Sequence, residues 1–383
     1  MQKKIGIITM YHNSINYGGV LQAYALTRFL NELGYDAQQV RVIGKPGEWQ
    51  RAKVLFMHGT KPAIKKVLRN ARWIARKVLK KAVPSDFDSK ISARRAVFAK
   101  FGEEFVPQSE EIYNSRTIKK ANDNYDVFIT GSDQVWNFAW YNPIYFLDFV
   151  RGDKKRIAYA ASISMHSLNR MQKRITKRSL KNYDAISVRE ESAVGLISDL
   201  TRLKPEFVLD PTLLLSKDDW DILAKRKVEC DAYVFCYFIG ENKAGRRFAT
   251  EFARKHGFML VGISIYHNFD ALDIKLADAG PEEFLSYLKN AKYVFTDSFH
   301  AVVFSKIFEK QYFVFNRDDQ GSMNSRIHTI TSLFETEDRF CYGERERLDY
   351  IESLPDIDYT KQLLKFEEKK KESIDFLLGA LEE

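Results

Sequence analysis

The string "TDSFHAVVFSKIF" sets Asp297, Ser298 and His300 between a short apolar run and a helix-like run. A polar loop entering a helix is where a histidine can meet an anion, because free N–H groups and the positive end of the helix dipole converge there. A metal reading would use Asp297 and His300, but no third ligand has suitable spacing. Ser298 as a hydrolytic nucleophile lacks a surrounding G-x-S-x-G. A second loop of this kind, "GSDQVWN", places Gly131, Ser132 and Asp133 just past the run "DVFIT". A third, "NSINYGGVLQAYAL", brings Asn16, Tyr17, Gly18 and Gly19 to the start of a long helix-like run. Gly18 and Gly19 would let the backbone approach a ligand, and Asn16 can cap the helix or donate to a ligand. Neither a dinucleotide fingerprint nor a Walker A sequence occurs. A turn that merely connects strand and helix is an equal reading of these glycines.

The elements that must position these loops alternate between β and α. Strands are predicted at Lys4–Met10, Ala37–Val42, Asp126–Thr130, Arg156–Ala160, Ala185–Val188 and Glu206–Leu209. Four more follow at Ala232–Phe238, Met259–Ile263, Tyr293–Thr296 and Tyr312–Phe315. Most are short, continuously apolar runs separated by helical patterns, as parallel strands buried on both faces read. The helix after the first loop ends at "ELGY", where Gly34 can supply a left-handed cap. The expected fold is α/β: two Rossmann-like, doubly wound domains facing across a cleft. Residues 1–220 form the first, with a basic amphipathic helical insert at about 51–100. Residues 221–383 form the second, which would end in a helix.

At 383 residues the chain is long enough for two such cores, and 45% hydrophobic with 29% charged residues is ordinary for a globular protein. The longest apolar stretch, "AYVFCYFIG", is far short of a membrane span. Three scattered cysteines suit buried thiols rather than disulfides or zinc, so a cytoplasmic protein is expected. The net charge of +9 is local. Eleven of the 60 basic residues lie between Arg51 and Lys81, where no acidic residue occurs, and the other 49 nearly balance the 51 acidic ones. A broad nucleic-acid-binding face would spread its excess, so no nucleic acid is expected.

Seven strings in one order carry a resemblance: "NYGGVLQAYAL", "DVFITGSDQVWN", "YAASIS", "ISVREESAVGLI", "VLDPTLLL", "YVFTDSFHAVVFSKIF" and "NSRI". Over roughly residues 5 to 335 the chain resembles the polysaccharide pyruvyl transferase family. The resemblance implies a two-Rossmann-domain fold like that of GT-B glycosyltransferases. It also implies transfer of pyruvate, as a cyclic ketal, from phosphoenolpyruvate to a hexose of a surface polysaccharide or its lipid-linked precursor. Phosphoenolpyruvate is then a co-substrate, and no cofactor or metal is expected.

Residue by residue, the family's histidine at a C-domain helix start looks like His300, the expected general acid. The arginine of its S-x-R-[DE] segment looks like Arg189, with pairing to Glu190 or Glu191 as the structural alternative. Some members carry an arginine where this chain has Ser298, and Arg326 in "MNSRIHT" is the candidate to replace it, or else a surface ion-pairing residue. Ser132, Ser298 and Asn324 complete the expected donor site. Asp133 is either the base that takes a sugar hydroxyl proton or a cap of its own loop. Asn16, Tyr17, Gly18 and Gly19 are expected on the acceptor side.

The segment "IKKVLRNARWIARKVLKK", Ile64 to Lys81, is amphipathic, with Trp73 amid its basic face. It reads either as a packed helix with a solvated basic back or as a dock for anionic lipid at the inner face of a membrane. Two other functions stay open from sequence. One is a nucleotide-sugar glycosyltransferase using the same two domains, and the other is a non-catalytic module binding membranes or acidic polymers.

Overall fold

The computed structural model describes residues 3–43, 86–263, 269–317, 324–342, 348–361 and 363–382. The basic segment 64–81, and most of the insert drawn at 51–100, lie outside the described residues. Thirteen described strands form two sheets, and every pairing within them is parallel. The first contains β1 (Lys4–Ile8), β2 (Asp36–Val42), β3 (Gln108–Tyr113), β4 (Val127–Thr130), β5 (Lys155–Ala161), β6 (Ala185–Val188) and β7 (Glu206–Phe207). Its order is β3-β2-β1-β4-β5-β6-β7. The second contains β8 (Tyr233–Tyr237), β9 (Met259–Ile263), β10 (Ile274–Lys275), β11 (Tyr293–Thr296), β12 (Gln311–Phe315) and β13 (Phe340–Cys341), in the order β10-β9-β8-β11-β12-β13. Each order reverses beside its first strand, which leaves a crevice for ligands beyond the carboxyl ends of the strands there.

The strand interiors explain the pairing. β1, β4 and β8 are buried almost throughout, so their side chains must be apolar on both faces, and helices cover them. The first helix, Tyr17–Glu32, is capped by Asn16, whose side chain accepts from the Gly19 N–H. It ends where Gly34 takes a φ of +90°, which costs a glycine little. The three cysteines form no disulfide, with Cys236 and Cys341 buried and Cys230 half-buried.

The two sheets are joined by one continuous core rather than separated by open space. Tyr17 stacks on Phe284 at 4.6 Å, and its hydroxyl donates to the Ala279 carbonyl oxygen at 2.6 Å. From the helix Asp86–Phe105, buried Arg94 donates to the carbonyl oxygens of Leu276 and Ala277 across the same seam. Tyr17 was expected on the acceptor side. It is instead fully buried as a tether between domains, because its ring fills the seam and its hydroxyl has an acceptor there.

The range 221–383 needs one correction. The last helix, Leu363–Glu382, packs Leu377, Ala380 and Leu381 against Ile5, Ile7 and Leu26 of the first domain. Ser373 Oγ accepts from the Leu209 N–H, and Lys3 Nζ donates to the Leu381 carbonyl oxygen. The apolar stripe of this helix buries against the sheet of the first domain, so the chain crosses back after the second. No described helix is long and apolar enough to cross a membrane.

Candidate active site

Strand ends from both sheets converge where the domains meet. β4 ends in Gly131–Asp133, β6 in Arg189, β7 leads to Asp210, and β11 leads into the helix Phe299–Ile307 carrying His300. All of these charged groups are buried: Arg189 is 2% exposed, Asp210 1%, His300 6% and Asp133 7%. Burial on this scale requires each charge to be matched.

Asp210 is the hub. Its Oδ1 accepts from the Thr212 N–H and hydroxyl, which fixes the turn of "DPT". Its Oδ2 accepts from Ser132 Oγ at 2.8 Å and Arg189 Nη1 at 2.6 Å, and lies 3.6 Å from His300 Nε2. Burial alone would raise its pKa. The charges of His300 and Arg189 outweigh that and hold the carboxyl well below the usual carboxylate range. Sequence reasoning missed Asp210. It stood in a quoted string, but an Asp before Pro reads first as a turn cap, and only its second oxygen serves the site.

Arg189 also reaches Asp133, Nη2 to Oδ1 at 3.5 Å. Burial lowers the Arg189 pKa, and Asp210, Asp133 and Glu190 more than restore it. Its guanidinium lies 4.5 Å from the centroid of the Phe299 ring. Asp133 has a left-handed φ of +72°, a conformation costing a non-glycine residue roughly 1 kcal/mol or more. Its carbonyl accepts from the Val135 and Ser162 N–H groups, so the loop holds the strained residue in place. Glu190, unremarked in the sequence as a site residue, binds the neighbouring loop. Its Oε1 accepts from Ser162 Oγ and from the Ile163 and Ser164 N–H groups.

Arg326 arrives from the helix Asn324–Leu333 and is 5% exposed, which removes the surface ion-pair alternative. Its guanidinium lies 5.8 Å from the Phe299 centroid, and its Nε finds no acceptor. Burial first, then Arg189, push it down to about 9. Asn324 donates to Asn316 Oδ1, and its own Oδ1 has no partner. Arg317, absent from the sequence expectations, follows β12 and donates to the Asp297 carbonyl oxygen at 3.1 Å.

The remaining expectations divide. Ser298 was expected to touch the donor, but its Oγ is the cap of the His300 helix, accepting from the Ala301 N–H. Asp297 accepts from the Ile239 and Gly240 N–H groups and thereby orders the β8 loop. Among the described residues no three His, Cys, Asp or Glu side chains are placed to hold a metal ion. Gly18 has a reason other than the one expected. A Cβ there would lie 1.8 Å from His300 Nδ1, so the glycine makes room for the imidazole of the other domain. A Cβ on Gly19 would lie 3.3 Å from Asp133 Oδ2.

Two parallel, doubly wound sheets with a charged cluster at their shared crevice define a protein of the GT-B type. Solved structures of similar fold include a chain assigned as UDP-N-acetylglucosamine 2-epimerase from Listeria monocytogenes. It has a TM-score of 0.51 and 12% identity, with 98% of this chain and 90% of that one covered. The UDP-N-acetylglucosamine 2-epimerase of Rickettsia bellii matches with a TM-score of 0.49 and 8% identity, over 99% of this chain and 96% of that one. At 12% identity the Listeria likeness speaks to fold alone. No curated protein matches the sequence. The chain belongs to the polysaccharide pyruvyl transferase family, whose model matches residues 16–319.

A first prediction follows from the Gly18 contact. Gly18→Ala must displace the His300 ring, and a misplacement of about 1 Å typically costs about 10²-fold in turnover. Steady-state kinetics should show that loss with an unchanged far-ultraviolet dichroism spectrum. Wild-type turnover in the variant would mean that His300 is not held against Gly18.

Proposed function

We propose that the chain transfers the pyruvyl group of phosphoenolpyruvate to two hydroxyls of a hexose, forming a cyclic ketal in a surface polysaccharide or its lipid-linked precursor. The observation that carries this reading is the Arg189–Arg326 pair. Two buried guanidinium groups lie against one ring, and Arg326 donates no hydrogen bond to any described residue. Arg189 is matched by Asp210 and Asp133, but a buried cation without an acceptor is costly, so Arg326 favours an anionic ligand beside it. Phosphoenolpyruvate brings a carboxylate and a phosphate, roughly three negative charges at neutral pH. The arginine fork suits both groups.

In this reading His300 is the general acid. Its proton passes to the methylene carbon of the donor as a sugar oxygen bonds to the neighbouring carbon. Asp133 takes the proton of that hydroxyl, and exchange with solvent resets both residues. A second hydroxyl then bonds to the same carbon, whose bond to the phosphate oxygen breaks. The last proton leaves with the phosphate. Asp210 faces His300 Nε2 and Arg189 together, and so ties the acid to the donor clamp.

The test is phosphate release from phosphoenolpyruvate in the presence of galactosides, mannosides and lipid-linked sugars. Release that depends on an acceptor is expected. Turnover of a nucleotide sugar with none of phosphoenolpyruvate would replace this reading by a glycosyltransferase.

Arg326→Met gives a second prediction. Removing a buried, poorly matched charge should raise the melting temperature of the free protein or leave it unchanged. Losing a charged hydrogen-bonding partner should weaken phosphoenolpyruvate binding by about 10-fold to 10²-fold. Titration calorimetry and thermal melts check both halves, and unchanged donor affinity would remove Arg326 from the site.

A further inference from the structure

A second cavity, of about 540 Å³, opens beside the first turn of the helix Tyr17–Glu32. It lies beyond the carboxyl ends of β1 and β2, against the helix Asp86–Phe105, and its walls include Tyr11, His12, Asn13, Arg95, Phe98 and Glu103. We infer that this cavity is a sugar-binding site that seats one neutral hexopyranoside of the acceptor, an inference resting on the pyruvyl-transfer reading for its role but not for its chemistry.

Size sets the first constraint, because cavities of about 300–1,000 Å³ take small organic ligands. The lining supplies the rest. Tyr11 and Phe98 present buried aromatic rings, and His12 sits edge-on to Tyr11 at 6.0 Å. Apolar ring faces suit the C–H face of a pyranose. Around them, Asn13, Ser14 and Gln108 offer amide and hydroxyl groups of both hydrogen-bonding senses.

The charges argue for a neutral ligand. Arg41 reaches the cavity but donates its Nε to the Ser109 carbonyl oxygen at 2.6 Å and its Nη2 to the Glu110 carbonyl oxygen. Burial and Arg41 hold His12 below its usual pKa, which disfavours the charged ring. Arg95 and Glu103, both exposed on the same helix, carry opposite signs. Arg41, its fork already engaged by backbone carbonyl oxygens, is the one excess positive charge among these lining residues, so a second phosphate or a nucleotide would meet no unengaged cation of the Arg326 kind.

Position links this cavity to the chemistry. Val20 lines it, while Gly18 and Gly19, immediately before, face the His300 ring and the Asp133 carboxylate, which an added Cβ would meet at 1.8 and 3.3 Å. The cavity and the acid–base pair therefore share the first turn of one helix, about 5.4 Å in pitch. The residues expected at the acceptor side, Asn16 to Gly19, lie in the chain between the lining residues Ser14 and Val20. Residues 11–14, on the other side of the same loop, face the sugar.

The test combines Asn13→Gly, Arg95→Gln and Glu103→Gln. Glycine tolerates the φ of +56° at Asn13, and the other two residues are exposed, so the fold should survive. Saturation-transfer NMR with methyl gluco-, galacto- and mannopyranosides should show binding of at least one to the wild type. In the triple variant that binding should weaken about 10-fold or more, as expected for lost polar contacts, with the melting temperature and phosphoenolpyruvate binding retained. KM for the same glycoside should rise about equally in turnover assays. Unchanged glycoside binding in the triple variant, or no binding to the wild type, overturns the inference. Glycoside binding that the variant loses, in a protein that never consumes phosphoenolpyruvate, would keep the sugar site and overturn the donor reading instead.

Discussion

Turnover should fall about 10²-fold to 10⁴-fold when His300 becomes asparagine, the range for a lost general acid. Asparagine keeps some hydrogen bonding beside Asp210 but delivers no proton at neutral pH. The ring it replaces is buried, lies over Gly18 and has its Nε2 3.6 Å from the Asp210 carboxylate. Those contacts fix the position of the imidazole, so the variant isolates chemistry from placement. Donor affinity should change much less than rate, because Arg189 and Arg326 remain. A variant with normal saturated rate and weakened phosphoenolpyruvate binding would make His300 a clamp and move the proton donor elsewhere.

The largest effect on stability is expected at Asp210. Asp210→Ala leaves Arg189 with the Asp133 carboxylate at 3.5 Å and the Ser132 hydroxyl at 3.2 Å, and opens the Thr212 turn. Breaking a buried ion pair by removing one partner costs about 3–5 kcal/mol. Denaturant titration should show a loss of that size, and turnover should fall with it, since the same carboxylate orders His300 and Arg189. The sign of the pH dependence is fixed by the depressed pKa. The contribution is fully present above the ordinary carboxylate value of about 4. It declines progressively as pH falls below that value and is gone once pH has fallen through the lower folded-state value. Acid titration of wild type and Asp210→Asn should therefore converge at low pH. Equal stability at neutral pH would show that Asp210 is not the hub of the cluster.

The interior of both sheets was legible because it is apolar on both faces. All ten predicted strands are present, within a few residues at their ends. The three that escaped, β3, β10 and β13, are edge strands. β3, "QSEEIY", is mostly polar and buries only Ser109 and Tyr113, and the other two are only two residues long, so none shows a continuous apolar run. The candidate site was legible in position where a motif sits at a strand end, as at His300, Arg189 and Asp133, which the fold brings together. It was opaque where the partner comes from the other domain. Gly18 faces His300 across more than 280 residues of chain, and nothing local distinguishes room for a ring from room for a ligand. Asp210 meets Ser132 and Arg189 within its own sheet and His300 from the other, and Arg317 meets Asp297 of its own sheet, all partners distant in sequence that no local pattern signals. Tyr17 looked like a loop residue, and only packing against Phe284 and Ala279 shows it as a tether.

The most direct measurement of pyruvyl transfer is to run the reaction in D₂O and examine the product by mass spectrometry and NMR after exchange back into H₂O. If an acid delivers a solvent-derived proton to the methylene carbon of phosphoenolpyruvate, the product sugar carries a pyruvyl ketal whose methyl group holds one deuterium, with one phosphate released per ketal. A product whose methyl group holds no deuterium, or phosphate released without a ketal on the sugar, would contradict it.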